Sequence, residues 1–498
     1  MIYDTIVIGA GAGGLASALK LSASRKKVLL IERQSAPGGC ATTFTRRGFT
    51  FESSMHCVNS LGEKGELYNF LKEFGITKLV DFIPLKDFCR IIYPEHDFVV
   101  DFSKENFVNF LKEKFPQESK NLDKLFLRLD KFFRQFDKFC GSEWPLIFQL
   151  ILSPIFYPEI IKLSSLTASE FLDKYLKDAK LKSIISDLWR FVGLPPSELS
   201  AFYFLIILRG YYFEQTCYVK GGYSQLFKAI AQKIKENGSE IKYNTTVKAI
   251  ITEKGRVKRV VTDKGEEFVA KTVISDANAI ETLGELIDDA VIKAKYNKEL
   301  AGLEKSISVF QVYLGLKVPA KTLGMSNFMI SLNTSYDHDK NFTNNVSADC
   351  DNCLIEIVDH AQLDPSLAPQ GRGTLLIMTF DLYKNWQGLT DDEYREKKKR
   401  LADKLIKRAE KLLPGLSSSI EVMEIATPRT MYRYTLSPEG AIYGFSHSVK
   451  QSGILRLSQE TCVKGLYLAG AWTRPGAGVH ACFISGFDAA EFALKFLG

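Results

Sequence analysis

MIYDTIVIGAGAGGLASALKLSASRKKVLLIE, residues 1–32, sets Gly9-x-Gly11-x-x-Gly14, with a further glycine at Gly13, between two strand-like apolar runs. Thr5-Ile-Val-Ile8 is β-branched, as a buried parallel strand requires, and Leu15 to Leu21 carries the apolar residues and alanines of a packed helix. Val28-Leu-Leu-Ile31 then runs straight into Glu32. The first glycine of the pattern permits a tight strand-to-helix turn, the second admits a pyrophosphate close to the backbone, and the third lets helix and strand pack together. Free N–H groups at the helix start face the phosphates. Glu32, eighteen residues beyond Gly14, suits a hydrogen bond from a ribose 2′-hydroxyl and disfavours a 2′-phosphate. A glycine pattern alone is an ordinary turn. With strand, helix, second strand and closing acid all in register, it predicts an α/β, Rossmann-like dinucleotide-binding domain.

A chain of 498 residues exceeds one ordinary core, so two or more domains are expected. Hydrophobic content of 46% excludes a disordered chain. The 35 phenylalanines and 20 tyrosines suffice to line an apolar cavity as well as to fill cores. A formal charge of +7 with both signs well mixed is no nucleic-acid footprint, while attraction to anionic lipid headgroups stays open. Nine cysteines without framework spacing indicate a reduced, cytoplasmic setting. The immediate first strand leaves no room for a signal peptide. The one long apolar stretch, near residues 144 to 158, is interrupted by prolines, so no membrane span is expected.

Beyond Glu32 the loop Pro37-Gly-Gly-Cys-Ala-Thr-Thr-Phe44 has glycines that allow close approach to a ligand, and Gly48-Phe-Thr-Phe-Glu-Ser-Ser-Met-His56 alternates as a strand. Near the other end, Gly465-Leu-Tyr-Leu-Ala-Gly470 leads through Ala471-Trp-Thr-Arg-Pro-Gly476-Ala-Gly478-Val479-His480 into a helix. Strand, glycine loop and helix start again make a polar cradle.

These blocks resemble the phytoene desaturase, carotenoid isomerase and retinol saturase family, FAD-dependent relatives of the amine oxidases. The likeness rests on the acid closing the second strand, the Gly-Gly pair six residues later, the Gly-Phe-x-Phe-acid strand, Lys220-Gly-Gly222 with its helix, and the glycine-rich C-terminal motif. Cys40 stands where many desaturases carry an arginine, which is closer to the isomerase branch. The resemblance implies that Val247 meets the adenine side through its backbone and that Ser275-Asp-Ala277 is a small-residue turn beside the cofactor. The candidate cofactor-binding set is Gly9, Gly11, Gly13, Gly14, Glu32, Arg33, Gly38, Gly39, Thr42, Val247, Ala277, Gly470, Ala471, Gly476, Gly478 and Val479. No second Gly-x-Gly-x-x-Gly follows a strand, so one FAD rather than a nicotinamide dinucleotide is expected.

The expected architecture is a glutathione-reductase-type FAD domain from residues 1–66, 215–285 and 435–498, with an α+β substrate domain from 67–214 and 286–434 inserted. The implied function is an oxidoreductase acting on carbon–carbon double bonds of a hydrophobic polyene or isoprenoid. The alternatives are an amine or protoporphyrinogen oxidase, and a non-catalytic prenyl-binding escort on the same fold. Flavin chemistry asks little of side chains. His480 and His56 are the candidates for proton handling, each weighed against a structural role. Arg474 could meet the flavin edge or lie at the surface. His96 reads as a turn residue, and Cys350-x-x-Cys353 as a surface loop rather than a zinc site, so no metal is expected. The proline-broken stretch 144–161, with a tryptophan expected to face inward and Lys138 and Lys162 at its flanks, suits either a dip into one leaflet or a buried helical hairpin.

Overall fold

The β-branched strand Ile2–Ile8 lies inside a sheet, flanked by parallel neighbours Val28–Ile31 and Glu267–Ser275. Ile6 and Val7 are wholly buried, as their uninterrupted apolar run requires. The computed structural model describes residues 2–63, 65–142, 144 and 146–498.

Among the described residues two seven-stranded sheets dominate. The first runs Val247–Glu253, Arg256–Thr262, Glu267–Ser275, Ile2–Ile8, Val28–Ile31 and Glu240–Lys242, and Leu466–Leu468 pairs in parallel with Glu267–Ser275. Segments from the start, middle and end of the chain therefore meet in one sheet. The helices Ala12–Ala23 and Val479–Leu497 pack on one another beside it. Their contact is intimate: Ser17 donates to the Gly486 carbonyl oxygen at 2.8 Å, and a Cβ at Gly486 would collide with the Gly13 carbonyl oxygen.

The second sheet runs Ile420–Ala426, Ser308–Leu316, Gly373–Asp381, Ile355–Val358, Met329–Leu332, Cys89–Ile92 and Asp97–Val100. It is antiparallel except where Met329–Leu332 runs parallel to Cys89–Ile92. Ser308–Leu316 and Gly373–Asp381 are buried along their whole length, because one face packs on the charged-outside helix Asp391–Glu410 and the other on the residues that join the two sheets. The hairpin expected around His96 is present between Cys89–Ile92 and Asp97–Val100.

Two local expectations change. Trp144 faces outward, 52% exposed, rather than inward. The helices Leu146–Phe156 and Pro158–Ser164 turn Phe148, Ile151, Ile155, Phe156 and Ile161 to the surface with it. Pro154 sits inside the first helix and Pro158 starts the second, while Pro145 lies outside the described residues. Cys350 and Cys353 are buried rather than on a surface loop. The Arg408 guanidinium reaches inward to them, donating to the Cys350 carbonyl oxygen at 2.9 Å and to the Cys353 sulfur at 3.2 Å. No helix among the described residues is long and apolar enough to cross a membrane.

Candidate functional site

The N-terminal glycines line a cradle in which side chains have no room. A Cβ on Gly14 would collide with the Gly9 carbonyl oxygen, and one on Gly39 would lie 3.2 Å from the Gly11 Cα. Gly38 donates its amide to the Ala10 carbonyl oxygen at 2.8 Å, which folds the second glycine pair back onto the first. Glu32 closes the far side. Its Oε2 accepts the Ala10 amide at 2.7 Å, its Oε1 accepts the Gln34 amide at 2.6 Å, and its carbonyl oxygen accepts the Thr245 amide at 3.0 Å, two residues before Val247. The strand that begins at Val247 is thus tied by a backbone hydrogen bond to the closing acid.

The C-terminal loop approaches from the opposite side. Gly470 donates to Ser485 Oγ at 3.1 Å, and Gly13 is so close that a Cβ there would stand 2.7 Å from the Gly470 nitrogen. Ala277 is also near, its nitrogen 3.6 Å from where a Gly9 Cβ would stand. Ala471 accepts the Arg456 guanidinium at 2.6 Å, Gly478 caps the last helix and Val479 begins it. Three further sequence candidates make contacts within the protein frame. Arg33 donates to the Arg433 and Tyr434 carbonyl oxygens at 2.9 and 2.7 Å. Thr42 pairs through its backbone with Ser53 at 3.0 Å. Arg474 is half-buried, and its Nε donates to the Arg456 carbonyl oxygen at 2.9 Å.

A buried line of aromatic and charged groups leads from this loop toward the second sheet. Gly476 packs on the His447 ring, which stacks on Tyr203 with centroids 3.6 Å apart. Burial, reinforced by Arg456, holds His447 well below the usual imidazole range, so it is neutral. Tyr203 donates to the Ala477 carbonyl oxygen at 2.8 Å. Tyr443 comes next, its hydroxyl pushed far up by burial and then by the charge of Glu356, with Tyr203 a smaller influence.

At the end of that line sits an ion cluster. Arg190, 1% exposed, donates from Nε to Asp187 Oδ2 at 2.7 Å and from Nη1 to Glu356 Oε1. His56 Nε2 lies 3.4 Å from Glu356 Oε2 and 3.0 Å from the Met378 sulfur. Burial opposes the charges on both Arg190 and Glu356, yet each stabilises the other: the Glu356 carboxyl stays below its ordinary value and Arg190 well above. His360 stacks near His56 at 6.3 Å and is pushed down to about 3 by burial and by His56. The His56 Nδ1 atom is buried and has no hydrogen-bond partner among the described residues. Arg190 also covers the rings of Phe191 and Phe88 at 4.7 and 5.8 Å, beside Tyr211 and Tyr212. A buried imidazole, two carboxylates and an aromatic wall suit a dry site in which a proton is held or moved.

His480 is not part of that cluster. Its Nε2 pairs at 3.1 Å with Glu66, whose side chain is 71% exposed, and His480 holds the Glu66 carboxyl below its ordinary value. His480 and His56 are paired as candidates because the family resemblance puts both their loops near the flavin, whereas the fold sends one to an outer edge and the other inward. Glu356, Arg190, Asp187 and His447 are not among the sequence candidates. A charged residue inside the apolar strand Ile355–Val358 and an acid–base pair at i, i+3 in Asp187-Leu-Trp-Arg190 were the available signals.

Two glycine loops, a helix start and a closing acid define a dinucleotide-binding oxidoreductase fold. The chain belongs to the flavin-containing amine oxidoreductase family, whose profile matches residues 12–494. It is 30% identical to a chloroplastic prolycopene isomerase of Daucus carota over 100% of this chain and 80% of that one. An all-trans-retinol 13,14-reductase of Danio rerio is 25% identical over 94% of this chain and 82% of its own. A 4,4′-diapophytoene desaturase of Methylomonas sp is 25% identical over 96% and 93% respectively. Among solved structures, an oxidoreductase from Methanosarcina mazei superposes with a TM-score of 0.65 at 17% identity, covering 99% of this chain and 100% of that one, a likeness of fold. Flavin is therefore the cofactor, and the residues fit it: cradle positions that a Cβ would fill are glycine, and the Glu32 carboxylate closes the cradle on the Ala10 amide.

Proposed function

We propose that this chain is an FAD-dependent oxidoreductase that acts on the carbon–carbon double bonds of a hydrophobic polyene or isoprenoid, by isomerisation, desaturation or saturation. The observation that carries the reading is its match, through both sheets, to enzymes named for carotenoid and retinoid substrates. Bound flavin supplies hydride or electron transfer at its reactive nitrogen.

The chain's own residues do the rest. Gly9, Gly11, Gly13, Gly14, Gly38 and Gly39 give the pyrophosphate access to backbone, Glu32 and Val247 hold the adenosine side, and Ala277, Gly470, Ala471, Gly476, Gly478 and Val479 leave space for the remainder. These segments form the cofactor domain, and the second sheet with its helices forms the substrate domain. His56, oriented by Glu356 and backed by Arg190, holds the proton that a double-bond shift must place or remove. The buried ring of Phe88 and the partly buried rings of Phe191 and Tyr211 shield an apolar chain from water. An amine substrate would find two carboxylates already bound to Arg190, which favours the polyene over the amine reading.

The outward face of the 144–161 hairpin supports a peripheral membrane contact. Trp144, Phe148, Ile151, Ile155 and Phe156 are each at least half exposed, beside a pocket of about 390 Å³ that Lys138 helps to line, and Lys162 is exposed on the second helix. Ile155→Asp with Phe148→Asp should weaken co-sedimentation with anionic vesicles; unchanged sedimentation would remove the hairpin as the contact.

The function is tested by incubating flavin-loaded protein, oxidised and reduced in separate samples, with vesicles containing cis-lycopene, phytoene or retinol. Chromatography should find one of them converted only when flavin is present. A full panel left unchanged in both redox states would overturn the proposal.

A further inference from the structure

Asp276 follows the strand Glu267–Ser275, and its amide donates to the Ile8 carbonyl oxygen at 2.8 Å, which pins it beside the end of the first strand. Its carboxyl stands where both glycine loops exclude side chains. A Cβ on Gly11 would lie 2.5 Å from Oδ2, one on Gly13 would lie 2.7 Å from Oδ1, and one on Gly470 would collide with Oδ1. Gly14 and Gly9 would meet other atoms of the same residue at 3.1 and 3.4 Å. Glycines from opposite ends of the chain thus share one reason for being glycine.

Gly11 opens the helix Ala12–Ala23, whose first turn contains no acid. The Asp276 carboxyl is therefore the anion that this helix start meets in the flavin-free protein. The titratable groups that act most on it give no counter-charge, while the Arg456 guanidinium, held by the Ala471 carbonyl oxygen at 2.6 Å, acts on Cys482. Glu32, at the end of Val28–Ile31, adds a second negative charge. Cys40 and Cys482 both face Asp276, and burial pushes each thiol up, Cys40 to about 11, so both are neutral near physiological pH. No lysine, arginine or histidine is among the principal groups acting on the carboxyl. Burial, together with Glu32, pushes it up to about 7, although the Gly14 and Gly11 amides favour its charged form. The residue is only partly covered, so a ligand laid in the cradle can reach it.

We propose that Asp276 is a proton-linked element of the flavin site: its carboxylate occupies the anion position at the helix start, and binding the FAD pyrophosphate requires that carboxyl to take up a proton. This rests on the cofactor reading above and adds to it. A pyrophosphate carries two negative charges, and placing them beside an ionised carboxylate that has no cation among the principal groups acting on it is opposed by like-charge repulsion. Proton uptake removes the repulsion and frees the helix amides. Below about pH 7 the carboxyl is already protonated and binding costs no proton; above it, each unit of pH lowers affinity by up to about tenfold.

The test uses flavin-stripped whole protein and its Asp276→Asn variant, which keeps shape and loses charge. FAD affinity is read by flavin fluorescence from about pH 6 to about pH 9, and proton uptake by a dye in weak buffer near pH 8. Expected are a wild-type affinity that is flat and then falls about tenfold per unit, uptake approaching one proton, and a flat profile without uptake for the variant. Parallel profiles, or FAD binding to wild type without proton uptake, would overturn the linkage while leaving the cofactor reading intact. Failure of wild type to bind FAD at any pH would overturn both. Were Asp276→Asn not to fold, the wild-type proton count would decide alone.

Discussion

The glycine cradle and the buried ion cluster are both built from distant segments, but by opposite means. In the cradle, geometry depends on atoms that are missing: Gly11, Gly13 and Gly470 stand where any side chain would meet Asp276. In the cluster it depends on atoms that are present. His56, Asp187, Arg190 and Glu356 come from a loop, a single helical turn and a sheet strand, and each needs the others to tolerate its burial. Adding one group should ruin the first region, whereas removing one charge should ruin the second.

The largest expected effect is at the cradle. Gly11→Val should give a protein that retains no FAD, read as loss of the flavin absorbance on purification, because the new side chain would fall on Asp276 Oδ2 and the pyrophosphate path. A normally yellow variant would mean that the cradle tolerates side chains and that the contrast drawn here is false.

Next comes the cluster. Glu356→Ala leaves Arg190 buried against Asp187 alone and should lower stability by about 3 to 5 kcal/mol in denaturant unfolding. Flavin absorbance should persist under native conditions, since no cradle atom is touched. Stability unchanged within about 1 kcal/mol would show that water reaches the cluster and that it is not a buried ion network. Glu32→Ala tests the acid that closes the cradle, and should weaken FAD binding by about 1 to 3 kcal/mol as the ribose loses its acceptor. Unaltered affinity would move the ribose to another partner.

The smallest effect separates the two histidines. His480→Ala should change stability by less than about 1 kcal/mol, because its partner Glu66 is largely exposed, and leave turnover near that of the wild type. His56→Ala should retain FAD and lose turnover. Equal turnover loss in both would place His480 in the chemistry after all.

The same contrast explains what could be read from the sequence. Backbone motifs are local: the spacing of Gly9, Gly11 and Gly14, with a strand before and Glu32 after, fixes a turn, a helix start and an acid within thirty-two residues. The C-terminal loop from Gly470 to Gly478 is equally compact. Side-chain convergence is not local. Arg190 and Glu356 are 166 residues apart and met only because the second sheet brings Ile355–Val358 against the turn that holds Asp187. Glu356 did carry a signal, being an acid in a buried apolar strand, but nothing nearby named its partner. Trp144 faces outward with the helix that follows it, Leu146–Phe156, which buries its polar Gln149 and Ser153 and exposes Phe148, Ile151 and Ile155, the reverse of the apolar-inward rule from which an inward tryptophan is expected. Cys350 and Cys353 were assigned to the surface from the polar residues between them, although Arg408, more than fifty residues away, supplies the contact that lets them be buried.

The central claim is a flavin site that handles polyenes, and an anaerobic titration of the purified flavoprotein tests it most directly. A cis-configured carotenoid in vesicles should perturb or bleach the flavin absorbance and emerge altered on chromatography, while primary amines leave the spectrum unchanged. Bleaching by an amine, with every polyene inert, would contradict the account.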